Sequence, residues 1–257
     1  MGSGWLGRPL AKHFAASGYQ IKLSTRSQQK QQDFNANGLS AYLVDIDQPL
    51  TEIDDFFNAD ILIINITSKN MDGFHRLSEN IKASPIRQVL FISSSSVYQN
   101  LNRDVTEDEG AENSDNLLFQ IENLFRNQAK FETTILRFSG LIGAGRHPGR
   151  FFAHGKQVQQ ASAPVNLIHI ADCIGIIDAI IHQAAWNTTF NGCADSHPSK
   201  KEFYSHARQL LGMPPPLFAA TESPAFKIVS NQKIKQQLQY QLQYPNLMAL
   251  TSAHYEN

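Results

Sequence analysis

The sequence predicts an α/β fold with a doubly wound parallel sheet and a small C-terminal lobe. Short apolar runs alternate with helical patterns through the first two thirds of the 257 residues, as β-α-β units require. Some runs, such as residues 61–64, are apolar on both faces, which is typical of parallel strands covered by helices on both sides. A G-x-G-x-x-G motif, formed by Gly2, Gly4 and Gly7, opens the chain before a helical segment. Motifs of this spacing hold dinucleotide phosphates in such folds.

Strands and helices are predicted in alternation along the chain. The candidate strands are residues 20–24, 41–44, 61–66, 89–93, 133–138 and 165–170. The candidate helices are residues 8–16, 29–36, 73–82, 117–128, 171–183 and 199–211. Asp172 is expected to begin the helix at 171–183, and Gly212 with the prolines that follow it ends the last helix. Residues from 223 onward are expected to form a small lobe.

The glycine motif lacks the buried strand that should precede it, because only Met1 stands before Gly2. We expect either a start site chosen too late or a truncated protein. A truncated protein would have a gap in the sheet beside residues 20–24 and residues 61–66. Backbone groups left buried there without partners would cost about 1–3 kcal/mol each.

The composition excludes several classes of function. The formal net charge is −1, so the chain has no basic footprint for nucleic acid or an anionic membrane. Cys173 and Cys193 form no C-x-x-C pair, which argues against a metal site and fits a reducing compartment. The sequence has neither a long apolar run nor a signal peptide pattern. We expect a cytoplasmic protein without nucleic-acid or membrane partners.

Five separated segments together resemble one family. They are residues 2–7 (GSGWLG), 91–98 (FISSSSVY), 136–152 (from LRF to GRHPGRFF), 165–172 (VNLIHIAD) and 230–233 (SNQK). In this order they resemble the extended short-chain dehydrogenase/reductases, the NAD-dependent epimerase/dehydratase group, most closely its YeeZ-like branch. The resemblance implies a dinucleotide-binding Rossmann domain at residues 1–145, to which 165–194 return. It also implies a substrate-binding lobe formed by residues 146–164 and 195–257.

The resemblance implies NAD or NADP as cofactor. NAD-preferring Rossmann proteins place an acidic residue after the second strand, but here Thr25 and Arg26 follow Ser24. A guanidinium could bind a 2′-phosphate, so NADP is favoured, although Arg26 could instead be a solvated turn residue. Asp45 resembles a residue that holds the adenine, or else it stabilises a turn. The expected cofactor contacts are Gly2, Gly4, Trp5, Leu6, Gly7, Thr25, Arg26, Asp45, Ile46, Asn65, Ile66, Thr67 and Ser93.

The catalytic residues that the family implies are only partly present. Ser94 matches the serine that polarises the substrate oxygen, although the serine run could simply end a strand. The Tyr-x-x-x-Lys pair is absent: counting back from Glu122 puts Ser114 and Leu118 at its two positions. Tyr98 is the remaining candidate acid or base, and packing is its alternative role. Proton transfer by such a group contributes about 10²–10⁴-fold.

Arg146, His147 and Arg150 lie on a glycine-rich loop where the family binds its substrate. Two guanidiniums suit a phosphate or carboxylate, and the alternative is that they pair with a helix end or an acid nearby. We expect a small-molecule substrate, which is anionic if these guanidiniums contact it, and a homodimer formed through helices 73–82 and 117–128. The predicted function is an NAD(P)-dependent epimerase, dehydratase or reductase acting on a sugar-like or nucleotide-linked substrate. A catalytically silent NAD(P)-binding sensor or partner-binding protein is the alternative.

Overall fold

The computed structural model describes residues 1–50, 53–153, 155–220 and 225–256. The chain forms two compact units. Unit 1 comprises Met1–Ser93, Ser114–Leu136 and Ala185–Thr189. Unit 2 comprises Ser94–Asn113, Arg137–Ala184 and Phe190–Asn257. Residues 223 and 224, where the small lobe was predicted to begin, lie outside the described residues.

Ten strands and eight α-helices are formed by the described residues. The strands are β1 (Lys22–Thr25), β2 (Ser40–Leu43), β3 (Ile61–Ile64), β4 (Gln88–Ser94), β5 (Asp104–Val105), β6 (Glu132–Phe138), β7 (Gly140–Ile142), β8 (Leu167–His169), β9 (Thr189–Gly192) and β10 (Ile228–Val229). The helices are α1 (Gly7–Ala16), α2 (Gln28–Ala36), α3 (Asp54–Phe57), α4 (Met71–Lys82), α5 (Leu117–Arg126), α6 (Ile170–His182), α7 (Lys200–Gln209) and α8 (Gln232–Gln237). All the predicted strands and helices are confirmed, with ends that differ by two residues or fewer. Across the described ranges, no helix combines the length and apolar character that crossing a bilayer requires.

The start of α6 differs from the prediction. His169 is the N-cap, and its Nδ1 accepts a hydrogen bond from the backbone N–H of Ala171 at 3.2 Å. Asp172 is fully buried and accepts bonds from the Tyr240 hydroxyl and from the backbone N–H of Tyr244. The Asp172 carboxylate therefore binds the C-terminal segment of unit 2 and does not cap α6.

In the described residues, β1 and β3 belong to different parallel sheets. β1 pairs with β2, whereas β3 belongs to a separate sheet of order β3-β4-β6-β9. The first two residues make hydrogen bonds to both strands. The Met1 amino group donates to the Ile63 carbonyl at 2.5 Å, and the Met1 carbonyl accepts from the Asn65 N–H at 3.0 Å. The Gly2 N–H donates to the Ser24 hydroxyl at 2.8 Å. Met1 thus makes the contacts of one residue of a central parallel strand.

The core of unit 1 contains aromatic side chains from three elements. Phe74 of α4, Phe91 of β4 and Phe125 of α5 are all buried. The rings of Phe91 and Phe125 stack at 5.3 Å, and Phe74 meets Phe125 edge-on at 6.0 Å. Such pairs contribute about 0.5–1.5 kcal/mol beyond the burial of their area. Packing of both helices against β4 fixes the end of that strand, where the candidate serines lie.

Candidate functional site

The first seven residues of unit 1 form a tight loop against the end of β3. A Cβ atom on Gly2 would lie 2.2 Å from the Asn65 carbonyl oxygen, and one on Gly7 would lie 1.9 Å from the Gly2 carbonyl oxygen. Both distances are too short for any side chain. Gly4 differs, because a Cβ atom there would have no neighbour within 4 Å. Backbone packing therefore requires Gly2 and Gly7, whereas Gly4 leaves open space beside the loop.

Helix α1 begins at this loop without a side chain to cap it. Its N-cap residue, Leu6, makes no side-chain hydrogen bond, and the first turn carries no acidic residue. The first N–H groups of a helix have no partners within it, and the helix dipole favours negative charge there. A glycine loop that leads into such a helix end is suited to bind a pyrophosphate.

Asn65 and Ile66 lie against this loop, and their predicted contacts with the cofactor remain a prediction. The Ile66 Cγ2 atom is 3.1 Å from the position that a Cβ atom on Gly2 would take. Thr67 is exposed beyond them, and Trp5 is half-buried. The structure therefore brings the predicted contacts from β3 together with the glycine motif.

Thr25 and Arg26, at the end of β1, have local partners. The Thr25 hydroxyl oxygen accepts from the backbone N–H of Ser27 at 3.2 Å. The Arg26 side chain is 68% exposed and lies 3.8 Å from an Asp47 carboxylate oxygen. Such an exposed pair contributes little energy, so the guanidinium is available to an anionic ligand.

Asp45 and Ile46 have structural contacts after β2. The Asp45 carboxylate accepts from the backbone N–H of Asp47 at 3.0 Å, which agrees with the turn that was its alternative role. The Ile46 side chain is buried in the core of unit 1. The Ile46 carbonyl accepts from the Arg76 guanidinium at 2.7 Å. Contacts to adenine at these two residues remain a prediction.

Ser93, the last residue of the first segment of unit 1, makes a buried hydrogen bond. Its hydroxyl donates to the Glu122 carboxylate of α5 at 2.5 Å. Glu122 is fully buried, and Arg126 lies 3.5 Å from it one helical turn further on. The pairing holds α5 against the end of β4, so Ser93 has a structural contact besides its predicted role at the cofactor.

Unit 2 contains a cavity of about 390 Å³. Its wall is formed by Ser94, Ser95, Ser96, Asn100, Gly140, Gln160, Ala163, Pro164, Val165, Asn166, Leu167, Lys200, Tyr204, Ala225, Phe226 and Lys227. The Ser94 hydroxyl oxygen accepts from the backbone N–H of Ser96 at 3.1 Å, so its proton is directed elsewhere. Sequence reasoning had placed Ser94 in the site but had missed Lys200 and Lys227.

Tyr98 is held inside unit 2 and does not line this cavity. It is 3% exposed. Its hydroxyl donates to the Asn191 side-chain oxygen at 2.9 Å and accepts from the Arg137 guanidinium at 2.8 Å. Burial raises the pKa of the phenol far above its usual range, although the guanidinium opposes this shift. These contacts favour the packing role over the catalytic one.

The basic loop residues do not line the cavity either. His147 is buried: its Nδ1 accepts from the Gly149 N–H at 3.1 Å, and its ring packs 4.3 Å from that of Tyr255. Burial, and to a lesser extent the charge of Arg150, lower the pKa of His147. Arg146 and Arg150 are exposed. A substrate contact at these three residues remains a prediction.

The parallel sheets, the glycine loop and the uncapped helix define a Rossmann-type NAD(P)-binding protein, and the residues at the loop fit a dinucleotide pyrophosphate. Comparison with known proteins agrees. A family model described as NAD(P)H-binding matches residues 2–175. Protein YeeZ of Escherichia coli K12 is 32% identical over 97% of both chains. The chain therefore belongs to the NAD(P)H-binding family, and YeeZ is a relative of it.

Solved structures show the same fold. A short-chain dehydrogenase/reductase superfamily protein from Agrobacterium tumefaciens, with bound NAD, superposes with a TM-score of 0.75 at 17% identity, covering 96% of this chain and 92% of that one. The UDP-glucuronic acid 4-epimerase of Bacillus cereus, in complex with NAD, gives a TM-score of 0.75 at 15% identity, covering 99% and 94%. The predicted fold class and family are confirmed.

Proposed function

We propose that this chain is an NAD(P)-dependent oxidoreductase of the epimerase/dehydratase type, acting on a sugar-like or nucleotide-linked substrate. The observation that carries the proposal is the geometry of the glycine loop. Gly2 and Gly7 are fixed by backbone contacts, while Gly4 is open beside an uncapped helix end. Because Gly4 is exposed and carries no side chain, a pyrophosphate can approach its backbone beside the helix end.

The residues of unit 1 would bind the dinucleotide along the ends of its strands. The backbone N–H groups at the start of α1 would receive the pyrophosphate. When bound, NAD(P) supplies a nicotinamide that accepts or donates a hydride. Arg26 would bind the 2′-phosphate of NADP, because its guanidinium is exposed and only weakly paired. NADP is therefore the favoured cofactor.

In unit 2, Ser94 would orient the substrate through its hydroxyl group. The hydroxyl oxygen already accepts one hydrogen bond, so the hydroxyl can donate to a substrate oxygen in the cavity. The Bacillus cereus enzyme of this fold is named a UDP-glucuronic acid 4-epimerase. A sugar-like substrate in the present cavity follows by analogy of fold.

Two measurements test the proposal. Fluorescence titration of the full chain with NADPH and NADH should give saturable binding to both, tighter for NADPH. Incubation with NADP or NAD and a panel of sugar nucleotides and sugar phosphates, followed by NMR, should give an epimerised, dehydrated or oxidised product. Cofactor binding without turnover across the panel would support the silent sensor instead. Absence of binding to either cofactor would contradict both functions.

A further inference from the structure

The charged residues that line the cavity of unit 2 are all positive. Two of the residues that line it, Lys200 and Lys227, are cationic, and none of them is an aspartate or glutamate. Surface lysines are normally solvated or paired, whereas these two are half-buried on the wall of a concave site. Among the described residues, the wall therefore has two ammonium groups and no carboxylate, a charge distribution that favours an anionic ligand.

Both lysines are held in place by neutral oxygen atoms. The Lys227 ammonium donates to the Tyr98 backbone carbonyl at 2.7 Å and to the Asn100 side-chain oxygen at 3.4 Å. The Lys200 ammonium donates to the Gln159 carbonyl at 3.3 Å. These bonds fix the two side chains but leave their charges unneutralised, because within the described residues neither lysine has a carboxylate partner.

The backbone around Lys227 is also fixed. The Asn166 side chain donates to the Lys227 carbonyl at 2.9 Å and accepts from the Val229 N–H at 2.8 Å. Asn166 lines the same cavity. The position of Lys227 is therefore set before any ligand binds, which reduces the entropy lost on binding.

We propose that this cavity binds the phosphomonoester dianion of a small substrate through Lys200 and Lys227. Two point charges match a dianion, and lysine binds phosphate in this way. A carboxylate carries a single negative charge and would leave one of the two positive charges unneutralised. The volume of about 390 Å³ lies at the small end of the range for ligand pockets, about 300–1,000 Å³, and is sufficient for a sugar phosphate.

The proposal rests on the proposed function, because it names the class of substrate for the same enzyme. Burial lowers the pKa of both lysines. Burial therefore disfavours the charged form of each lysine in the protein without ligand. As the pH rises, phosphate affinity should begin to fall earlier than it would with fully exposed lysines.

Calorimetric titration of the full chain with methyl phosphate, acetate and UDP-glucose tests this proposal. Saturating NADPH is present so that the glycine loop is not open to phosphate. Methyl phosphate should bind once per chain, more tightly than acetate or UDP-glucose. K200M should weaken this binding about tenfold or more, as expected for loss of a charge-assisted bond. K201M is the matched control: Lys201 is the next residue of α7 and is exposed outside the cavity.

The outcomes separate the two proposals. NADPH binding without saturable methyl phosphate binding would overturn this proposal and leave the proposed function standing. Phosphate binding lost in K200M without any NADPH binding would support this proposal and contradict the proposed function. Tighter binding of acetate or UDP-glucose would overturn the phosphomonoester, as would equal effects of K200M and K201M. Urea unfolding adds a readout: K200M should be as stable as the wild type or more so, and a less stable K200M with wild-type phosphate affinity would assign Lys200 a structural role.

Discussion

Gly4 offers a direct way to separate cofactor binding from folding. An alanine Cβ atom at this position would meet nothing within 4 Å, and the φ angle of Gly4 is not positive. The G4A variant should therefore fold with wild-type stability, or gain about 0.4–1 kcal/mol because the unfolded chain loses freedom. The added methyl group would nevertheless occupy space that a pyrophosphate needs when it approaches the backbone.

The size of the effect follows from the bond that the methyl group displaces. Loss of one hydrogen bond to a charged group costs about 1.5–3 kcal/mol, which corresponds to about 10- to 150-fold in the dissociation constant of NADPH. G7A is the contrasting variant, because its Cβ atom would clash with the Gly2 carbonyl oxygen. Overpacking of this kind costs about 1–3 kcal/mol, so G7A should lose stability as well as affinity.

NADPH fluorescence titration and urea unfolding of wild type, G4A and G7A measure both quantities. The expected pattern is weak binding with full stability for G4A, and loss of both for G7A. An S3A control changes a neighbouring side chain of the loop and should leave the unfolding free energy near that of the wild type. Wild-type NADPH affinity in G4A would refute the reasoning, since a pyrophosphate would then not approach the backbone at Gly4.

Three further predictions concern single side chains. R26S should weaken NADPH binding about tenfold or more and leave NADH binding unchanged; equal effects in titrations with the two cofactors would contradict a 2′-phosphate contact. Y98F should lower the unfolding free energy by about 1–3 kcal/mol, because Asn191 loses its donor in a buried site; wild-type NADPH affinity is expected, and a wild-type urea midpoint would disprove the structural role. Burial lowers the pKa of His169, so its contribution to stability is complete above about pH 6.5 and is lost as the pH falls through and below that value. H169N, which can still cap α6, should reduce the loss of unfolding free energy between pH 7.5 and pH 5, and an unchanged loss would argue against this assignment.

The sequence predicted the elements that depend on local patterns. The alternation of apolar and polar residues placed α4 and β4 within two residues of their observed ends, because periodicity follows directly from backbone geometry. The glycine spacing likewise predicted a helix directly after the motif, and α1 begins at Gly7.

The environment of single side chains could not be predicted in the same way. Tyr98 bonds to Asn191, which is 93 positions away along the chain, and no local pattern encodes such a contact. Lys200 and Lys227 are far apart along the sequence. They line the same cavity only because the chain folds. The capping role of His169 was missed because Asp172 is the more common type of residue at a helix start. These contacts depend on how distant segments pack together, and that packing cannot be read from local patterns in a single sequence.

Calorimetric titration of the full chain with NADPH and NADH tests the central claim most directly. The geometry of the glycine loop predicts one saturable site per chain for either cofactor, with NADPH bound more tightly. A chain that remains folded by circular dichroism and shows no saturable heat with either cofactor would contradict it.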